Sequence, residues 1–117
     1  MIKGIGLDMV ELHRIEKAAQ RTERFAKRIL SDREYTRYEL LSHTRKTEFL
    51  AGRFAAKEAF SKARGTGIGQ DCEFQDIEIL NDEKGAPILY FKQNKVNGFV
   101  SITHTQTCAA AQVIILV

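Results

Sequence analysis

The segment that most constrains the fold is residues 52–69, Gly-Arg-Phe-Ala-Ala-Lys-Glu-Ala-Phe-Ser-Lys-Ala-Arg-Gly-Thr-Gly-Ile-Gly. Its first part is rich in helix-forming residues, and its four alanines are small enough to let a neighbouring backbone approach closely. Gly65 predicts the end of this helix, because glycine adopts the left-handed conformation that closes many helices. Gly67 and Gly69 can adopt positive φ and present backbone N–H groups to an anion.

The same segment places charged side chains at helical spacing. Arg53 and Lys57 are four residues apart, and so are Glu58 and Lys62, so each pair lies along one side of the helix. Cations, one acid and free amides together suit a phosphorylated ligand with a divalent metal. A Glu–Lys pair at this spacing is more often a solvated helix face, and a Gly-x-Gly-x-Gly run is more often a flexible connection.

Size and composition are those of one globular domain, so we expect residues 1–117 to form a single domain. Hydrophobic residues make up 44% of the chain, and no apolar run approaches the ~20 residues of a membrane span. The N-terminus lacks the hydrophobic stretch of a signal peptide, which predicts a cytoplasmic protein. Cys72 and Cys108 are too few for a disulfide framework, so both are predicted to be reduced thiols.

A change of hydrophobic period along the chain predicts the fold class. Residues 2–10 predict a strand, and Ser31 with Glu34 fits a capping box at a helix start. Three helices are predicted after that strand, over residues 11–30, 31–44 and 46–64. Alternating residues then predict two hairpins, within 74–91 and 98–117. This order predicts an α+β fold, with mostly antiparallel strands packed on the long third helix.

The first predicted helix carries a basic stripe. Lys17, Arg21, Arg24 and Arg28 fall at i, i+4, i+7 and i+11, and Arg14 lies at the edge of the stripe. A cationic helix face is usually solvated, or attracts nucleic acid or an anionic membrane. The net charge is only +3, and no helix-turn-helix spacing or aromatic-studded sheet is apparent. We therefore expect neither nucleic acid nor a membrane as the partner.

Four motifs follow one another in an order that resembles a known enzyme family. They are Gly4-Ile5-Gly6-Leu7-Asp8-Met9-Val10-Glu11, Gly52 to Gly67, Gly85-Ala86-Pro87, and Ser101-Ile102-Thr103-His104-Thr105. In a chain of this length they resemble the motifs of the bacterial holo-acyl-carrier-protein synthases. The resemblance implies the 4′-phosphopantetheinyl transferase fold and activity.

Such an enzyme moves the phosphopantetheine arm of coenzyme A onto a serine of apo-acyl carrier protein, in fatty acid biosynthesis. It releases adenosine 3′,5′-bisphosphate and requires Mg²⁺. Short members of the family are homotrimers with active sites at the subunit interfaces. The small residues 109–111 suit a crowded core or a neighbouring subunit, and the apolar residues 113–117 are predicted to be buried on both faces.

The resemblance also implies roles for single residues. It places Asp8 and Glu58 on Mg²⁺, which takes one or two carboxylates and completes its shell with phosphate oxygens and water. Lys62 would contact the pyrophosphate and stabilise charge during transfer. Glu58, directly or through a water, is the candidate general base, and His104 would contact a phosphate or support the active site. Without the resemblance, these residues would be read as a helix cap, a solvated charge and a structural histidine.

The remaining implied contacts involve the two substrates. Arg53 and Lys57 are candidates for the 3′-phosphate of coenzyme A, as cations one helical turn apart. Backbone near the nucleotide and a wall for the adenine would come from Gly65, Thr66, Gly67 and Pro87. The acidic carrier protein would dock on Arg14, Arg21, Arg24 and Arg28.

Two other classes of function stay open on sequence alone. One is a non-catalytic module that binds a nucleotide or coenzyme A with the same fold. The other is an adaptor that binds an acidic protein through the basic helix, with Asp8 and Glu58 merely structural. The joint presence of Asp8, Glu58, Lys62 and His104 favours the enzyme.

Overall fold

A computed structural model describes all residues from 1 to 117, and it has the predicted α+β architecture. The first part comprises β1 (Ile2–Glu11), α1 (Leu12–Arg21), α2 (Glu23–Ile29), α3 (Asp32–Glu39) and α4 (His43–Arg64). A 3-10 turn at Phe74–Asp76 leads into β2 (Ile77–Asn81), β3 (Pro87–Phe91), β4 (Asn94–Lys95), β5 (Gly98–His104) and β6 (Cys108–Leu116). None of the helices combines the length and hydrophobicity needed to cross a bilayer.

The predicted first helix is in fact two helices, because the chain is extended at Thr22, with φ −160° and ψ 142°. The Thr22 hydroxyl accepts a hydrogen bond from the Arg24 N–H at 3.2 Å and so caps α2. A threonine side chain can replace a backbone partner in this way, which stabilises a helix start at the expense of a continuous helix. The capping box of Ser31 and Glu34 at the start of α3 is confirmed.

The strands form two antiparallel sheets, ordered β1-β6-β5 and β2-β3-β4. Both predicted hairpins are present, as β2–β3 and β5–β6. Helix α4 packs against β1 and β6 of the first sheet and also reaches β2 of the second. Its buried residues form the centre of the core, and they include Leu50, Ala51, Ala55, Ala56, Ala59 and Phe60.

Two glycines in β1 set how closely this strand approaches α4. A Cβ atom on Gly4 would lie 2.1 Å from the Ala63 carbonyl oxygen, and one on Gly6 would lie 1.7 Å from the Ala59 carbonyl oxygen. Any larger residue would therefore push the strand off the helix. Because side chains alternate along a strand, Asp8 projects from the same face as both glycines, towards α4.

The opposite face of the first sheet is apolar and exposed in the single chain. Four large side chains there are more than half exposed: Ile5, Leu7, Met9 and Phe99. Val113 is fully buried, whereas its neighbour Ile114, which pairs with Ile5 and shares its face, is only partly buried, and Val117, after β6, is 79% exposed. The prediction that residues 113–117 are buried on both faces is therefore wrong for one chain by itself, because this face has no second layer on it.

Candidate active site

Asp8, Glu58 and Lys62 meet where β1 packs on the C-terminal half of α4. The Lys62 Nζ donates to Asp8 Oδ1 at 2.9 Å and to the Leu7 carbonyl oxygen at 3.1 Å. Glu58 lies one turn before Lys62 on α4 and interacts electrostatically with both partners. The sequence separates Asp8 from Glu58 by fifty positions, and the close approach of β1 to α4 brings them together. We call this group the carboxylate corner.

The charges of the carboxylate corner act on one another. The pKa of Glu58 is raised, first by partial burial and second by the negative charge of Asp8, while Lys62 opposes the rise. The pKa of Lys62 is raised chiefly by its hydrogen bond to Asp8. Two acids share one ammonium, so the corner favours an added cation. The side chain of Lys62 is 53% exposed and that of Asp8 16%, so a ligand can reach them.

The donor set of the corner fits Mg²⁺. No group of three or more His, Cys, Asp or Glu side chains suited to holding a metal occurs in the chain. Mg²⁺ does not need such a cage, because it binds through one or two carboxylates and takes its other ligands from phosphates and water. Asp8 and Glu58 supply that number of carboxylates.

The glycine loop ends α4 as predicted, but its amides are not free. Gly65 and Gly67 adopt the left-handed conformation, with φ of 86° and 71°. The N–H groups of Gly65, Thr66 and Gly67 all donate to the Ser61 carbonyl oxygen, at 3.1, 3.2 and 3.1 Å. The Gly69 N–H also donates to a backbone carbonyl, and its φ is not positive. The expectation that these amides cradle an anion is therefore wrong.

Lys57 lies inside the protein. It is 0% exposed, and its Nζ donates to Glu34 Oε1 at 2.6 Å, to the Ile29 carbonyl at 2.7 Å and to the Phe74 carbonyl at 3.0 Å. These three acceptors use every donor that an ammonium has. Burial lowers the pKa of Lys57, and the charge of Glu34 opposes that change. The expectation that Lys57 contacts a phosphate is therefore corrected: its partner is Glu34.

Arg53 is also buried, at 8% exposure, but it has no anionic partner. Its guanidinium lies 4.3 Å from the centre of the Phe49 ring, and Nη2 donates to the Ile79 carbonyl and to Asn81 Oδ1. Both acceptors are neutral, and Nε has no partner. Burial lowers the pKa of Arg53 to about 10, so the group is still a cation at neutral pH. A buried cation held by neutral groups suits an anionic ligand.

Two neighbouring cavities meet at Arg53. One, of ≈310 Å³, is also lined by Arg37, Arg45 and His104, with Glu48 as the one acid in its lining. The other, of ≈250 Å³, is also lined by Pro87. We call them together the cationic pocket. Sequence reasoning missed Arg37 and Arg45, because arginines on exposed helix surfaces are common and only the packing of α3, α4 and β5 aims these two at one place.

Comparisons with known proteins identify the family of this chain. The profile of the 4′-phosphopantetheinyl transferase superfamily matches residues 4–115. The chain belongs to this superfamily. Holo-[acyl-carrier-protein] synthase of Bacillus velezensis is 61% identical over 116 residues, which cover 98% of this chain and 96% of that protein. The synthase of Bacillus subtilis is 60% identical with the same coverage.

Solved structures of holo-acyl-carrier-protein synthases share the fold. One from Bacillus anthracis, in complex with CoA (3′,5′-ADP), is 49% identical with a TM-score of 0.87, and the match covers 98% of this chain and 96% of that one. One from Helicobacter pylori, in complex with coenzyme A, is 34% identical with a TM-score of 0.84, covering 96% and 99%. The predicted 4′-phosphopantetheinyl transferase fold is confirmed.

The candidate residues of this transferase-superfamily chain form two groups on different sides of α4. Arg53, in the cationic pocket, contacts β2, whereas Lys62, in the carboxylate corner, contacts β1. His104 belongs to the first group, and its Nδ1 lies 3.7 Å from Glu48 Oε2 on α4. One chain therefore does not bring all the candidate residues into a single cleft.

The basic residues near the N-terminus are all exposed: Arg14, Arg21, Arg24 and Arg28. The break at Thr22 divides them between α1 and α2, so the expected continuous stripe on one helix is wrong. Arg28 also lines a cavity with Ile68 and Gly69, beside the glycine loop. The basic surface therefore extends towards the end of α4.

Proposed function

We propose that this chain transfers the 4′-phosphopantetheine moiety of coenzyme A to a serine of apo-acyl carrier protein and releases adenosine 3′,5′-bisphosphate. The observation that carries the proposal is the carboxylate corner, in which two acids and an exposed lysine meet on the surface. The coenzyme A bound to the Bacillus anthracis and Helicobacter pylori relatives supports the choice of donor substrate.

In the proposed reaction the serine oxygen of the carrier attacks the phosphorus that bears the pantetheine. A new P–O bond forms, and the P–O bond to adenosine 3′,5′-bisphosphate breaks. Glu58, directly or through a water, is the proposed acceptor of the serine proton, because it is the carboxylate beside Lys62 in the corner. Lys62 stabilises negative charge on the phosphoryl oxygens and on the leaving bisphosphate.

We further propose that Asp8 and Glu58 are the protein ligands of Mg²⁺. Their adjacency raises the pKa of Glu58, and a bound cation would relieve that repulsion. Mg²⁺, when bound, supplies positive charge for the phosphate oxygens. Asp8 has a second task, since its Oδ1 orients the Lys62 ammonium.

The nucleotide end of coenzyme A is assigned to the cationic pocket. Arg53 and His104 would contact the 3′-phosphate, with Arg37 and Arg45 beside them, and Pro87 would wall the adenine. Residues 65–67 would present backbone surface, without N–H donors, to the nucleotide. Lys57 is no longer part of the proposed site.

We propose a homotrimer in which each site is made by two chains. Two observations support this: the carboxylate corner and the cationic pocket lie on different sides of α4, and the outer face of the first sheet is apolar and exposed. A neighbouring copy that covers Leu7 and Met9 would hide that face and could bring its cationic pocket beside this chain's carboxylate corner. A protein that is monomeric by light scattering at the assay concentration and is nevertheless fully active would contradict the arrangement.

The acidic carrier protein is assigned to the exposed arginines of α1 and α2, which would steer it towards the site. We also propose a role in fatty acid biosynthesis, a location in the cytoplasm, and a single domain formed by residues 1–117.

The test of the proposed function is to mix the protein with coenzyme A, Mg²⁺ and apo-acyl carrier protein and to weigh the carrier by mass spectrometry. We expect a mass gain of one phosphopantetheine, absent without coenzyme A; an unchanged carrier mass would refute the proposed function.

A further inference from the structure

One side chain connects helix α4 with the turn between β2 and β3. Asn81, the last residue of β2, accepts a hydrogen bond from Arg53 Nη2 at 2.8 Å through Oδ1 and donates to the Gly85 carbonyl at 3.0 Å through Nδ2. Both cavities of the cationic pocket are lined by Asn81 and Arg53 together. Asn81 itself is exposed, so its contacts serve the surface of the pocket more than the core.

The turn has no other side-chain link to α4. Asp82 Oδ1 accepts from the N–H groups of Lys84 and Ala86, at 2.8 and 2.9 Å, and the remaining hydrogen bonds of the turn stay within the hairpin. The hydrogen bond from Arg53 to Asn81 is therefore the side-chain contact that ties the turn to the guanidinium, and it adds to the bond from the same nitrogen to the Ile79 carbonyl in β2.

The amide also leaves Arg53 without a carboxylate as a hydrogen-bond partner, although the charge of Glu34 acts on it without forming a salt bridge. Nη2 is fully used by two neutral oxygens, those of Asn81 and of the Ile79 backbone, and Nε is buried without a partner. Nη1 makes no hydrogen bond within the chain. A carboxylate at position 81 would hold the guanidinium equally well, but it would neutralise the charge before an anionic ligand arrived.

We propose that Asn81 is a positioning residue for the nucleotide end of coenzyme A. Its side chain bonds to both Arg53 and Gly85, and so keeps the guanidinium close to the turn of Gly85 to Pro87. Because Asn81 is a neutral acceptor, the positive charge of Arg53 stays available to attract the 3′-phosphate. This inference rests on the proposed function, and it adds a residue outside the four motifs that carry the family resemblance.

The test compares two donors, coenzyme A and coenzyme A that lacks its 3′-phosphate, in binding by calorimetry. Asn81→Asp should weaken binding of coenzyme A by about tenfold or more, since it opposes a charged hydrogen bond. Asn81→Ala should weaken it by about threefold, because the charge remains but its position is looser. Neither aspartate nor alanine can donate to the Gly85 carbonyl, so both variants loosen the turn and should weaken binding of the donor without the 3′-phosphate by a similar, smaller factor of about twofold.

The matched control is Asn94→Asp, which makes the same charge change on the exposed strand β4 and should leave both donors unaffected. In turnover, Asn81→Asp should raise the KM for coenzyme A while kcat at saturation and the KM for the carrier stay unchanged. Equal weakening of both donors by Asn81→Asp, or no weakening of either, would overturn the inference while leaving the proposed function intact. Failure of the wild-type protein to bind coenzyme A would instead overturn the proposed function, and this inference with it.

Discussion

Two lysines on the same helix, five positions apart, each hold a carboxylate at hydrogen-bond distance and yet lie in opposite surroundings. The Lys57–Glu34 pair, at 2.6 Å, has both side chains 0% exposed. The Lys62–Asp8 pair, at 2.9 Å, has side chains 53% and 16% exposed. The same two functional groups thus occur once in the core and once on the surface.

The two lysines differ in whether an ammonium N–H remains free to donate to a ligand. Lys57 has three acceptors from three different elements, so it joins α2, α3 and the turn before β2 to α4 and has no donor left. Lys62 has two acceptors, both at β1, and its third donor is free for a phosphate oxygen. The buried pair therefore joins the helix to its neighbours, and the role we propose for the exposed pair is to act on the ligand.

The largest effect is expected from the acids of the carboxylate corner. Asp8→Asn and Glu58→Gln each remove a charge without changing volume, so the fold should persist while transfer falls by about 10³-fold or more. Rates of carrier modification at limiting Mg²⁺ measure this. Either variant with near wild-type rates under those conditions would remove that residue from the metal and from the reaction.

The buried pair should respond in stability instead. Lys57→Met leaves the Glu34 carboxylate buried without a counter-charge, which typically costs about 3–5 kcal/mol of unfolding free energy. Urea unfolding measures the loss, and the double variant with Glu34→Gln should recover part of it. Were Lys57→Met as stable as the wild-type protein, the buried pair would not be what fixes α4.

The basic surface gives a middle-sized effect on one substrate alone. Arg21→Glu with Arg24→Glu should raise the KM for the carrier by about tenfold and flatten its dependence on salt, because rim charges act mainly on encounter. Binding of coenzyme A should hardly change. If coenzyme A binding weakened and the carrier KM did not, the arginines would belong to the other substrate.

A smaller effect concerns the titration of Glu58 in the metal-free protein. The pKa of Glu58 in the folded protein is raised above the ordinary 4.5. In the pH interval between 4.5 and the raised pKa, the folded state therefore binds more protons than the unfolded state. The contribution of Glu58 to stability should therefore fall as pH rises through the interval. Asp8→Asn should lower the Glu58 pKa and Lys62→Met should raise it, both visible by carboxyl NMR. Shifts of the opposite sign would show that the two side chains do not act on Glu58 through their charges.

Much of the fold could be predicted because local signals decide it. The capping box at Ser31, the helix end at Gly65 and the alternation in the hairpins depend on residues close in sequence. The sequence predicts one helix across Thr22 because the helical pattern continues on both sides of it. The break arises because the Thr22 hydroxyl takes the Arg24 N–H as its hydrogen-bond partner, in place of a backbone carbonyl.

The site was predicted less completely, because burial depends on distant partners. Lys57 and Lys62 look alike in the motif, and only Glu34, 23 positions before Lys57, makes one of them a core residue. The amides of the glycine loop are expected from the sequence to be free, but those of residues 65–67 donate hydrogen bonds to the Ser61 carbonyl. The contact between Lys57 and Glu34 is made by packing and leaves no trace in local spacing, whereas the bonds to Ser61 are the local closure of the helix end.

The most direct test of the comparison is the same substitution at both lysines, with kcat measured per folded molecule. Lys62→Met should lower kcat by about 10²–10³-fold, with the unfolding free energy within about 0.5 kcal/mol of the wild-type value. Lys57→Met should keep kcat close to the wild-type value while losing stability. Equal kcat for Lys62→Met and wild type, or a larger loss of kcat in Lys57→Met, would contradict the assignment of the exposed pair to the reaction.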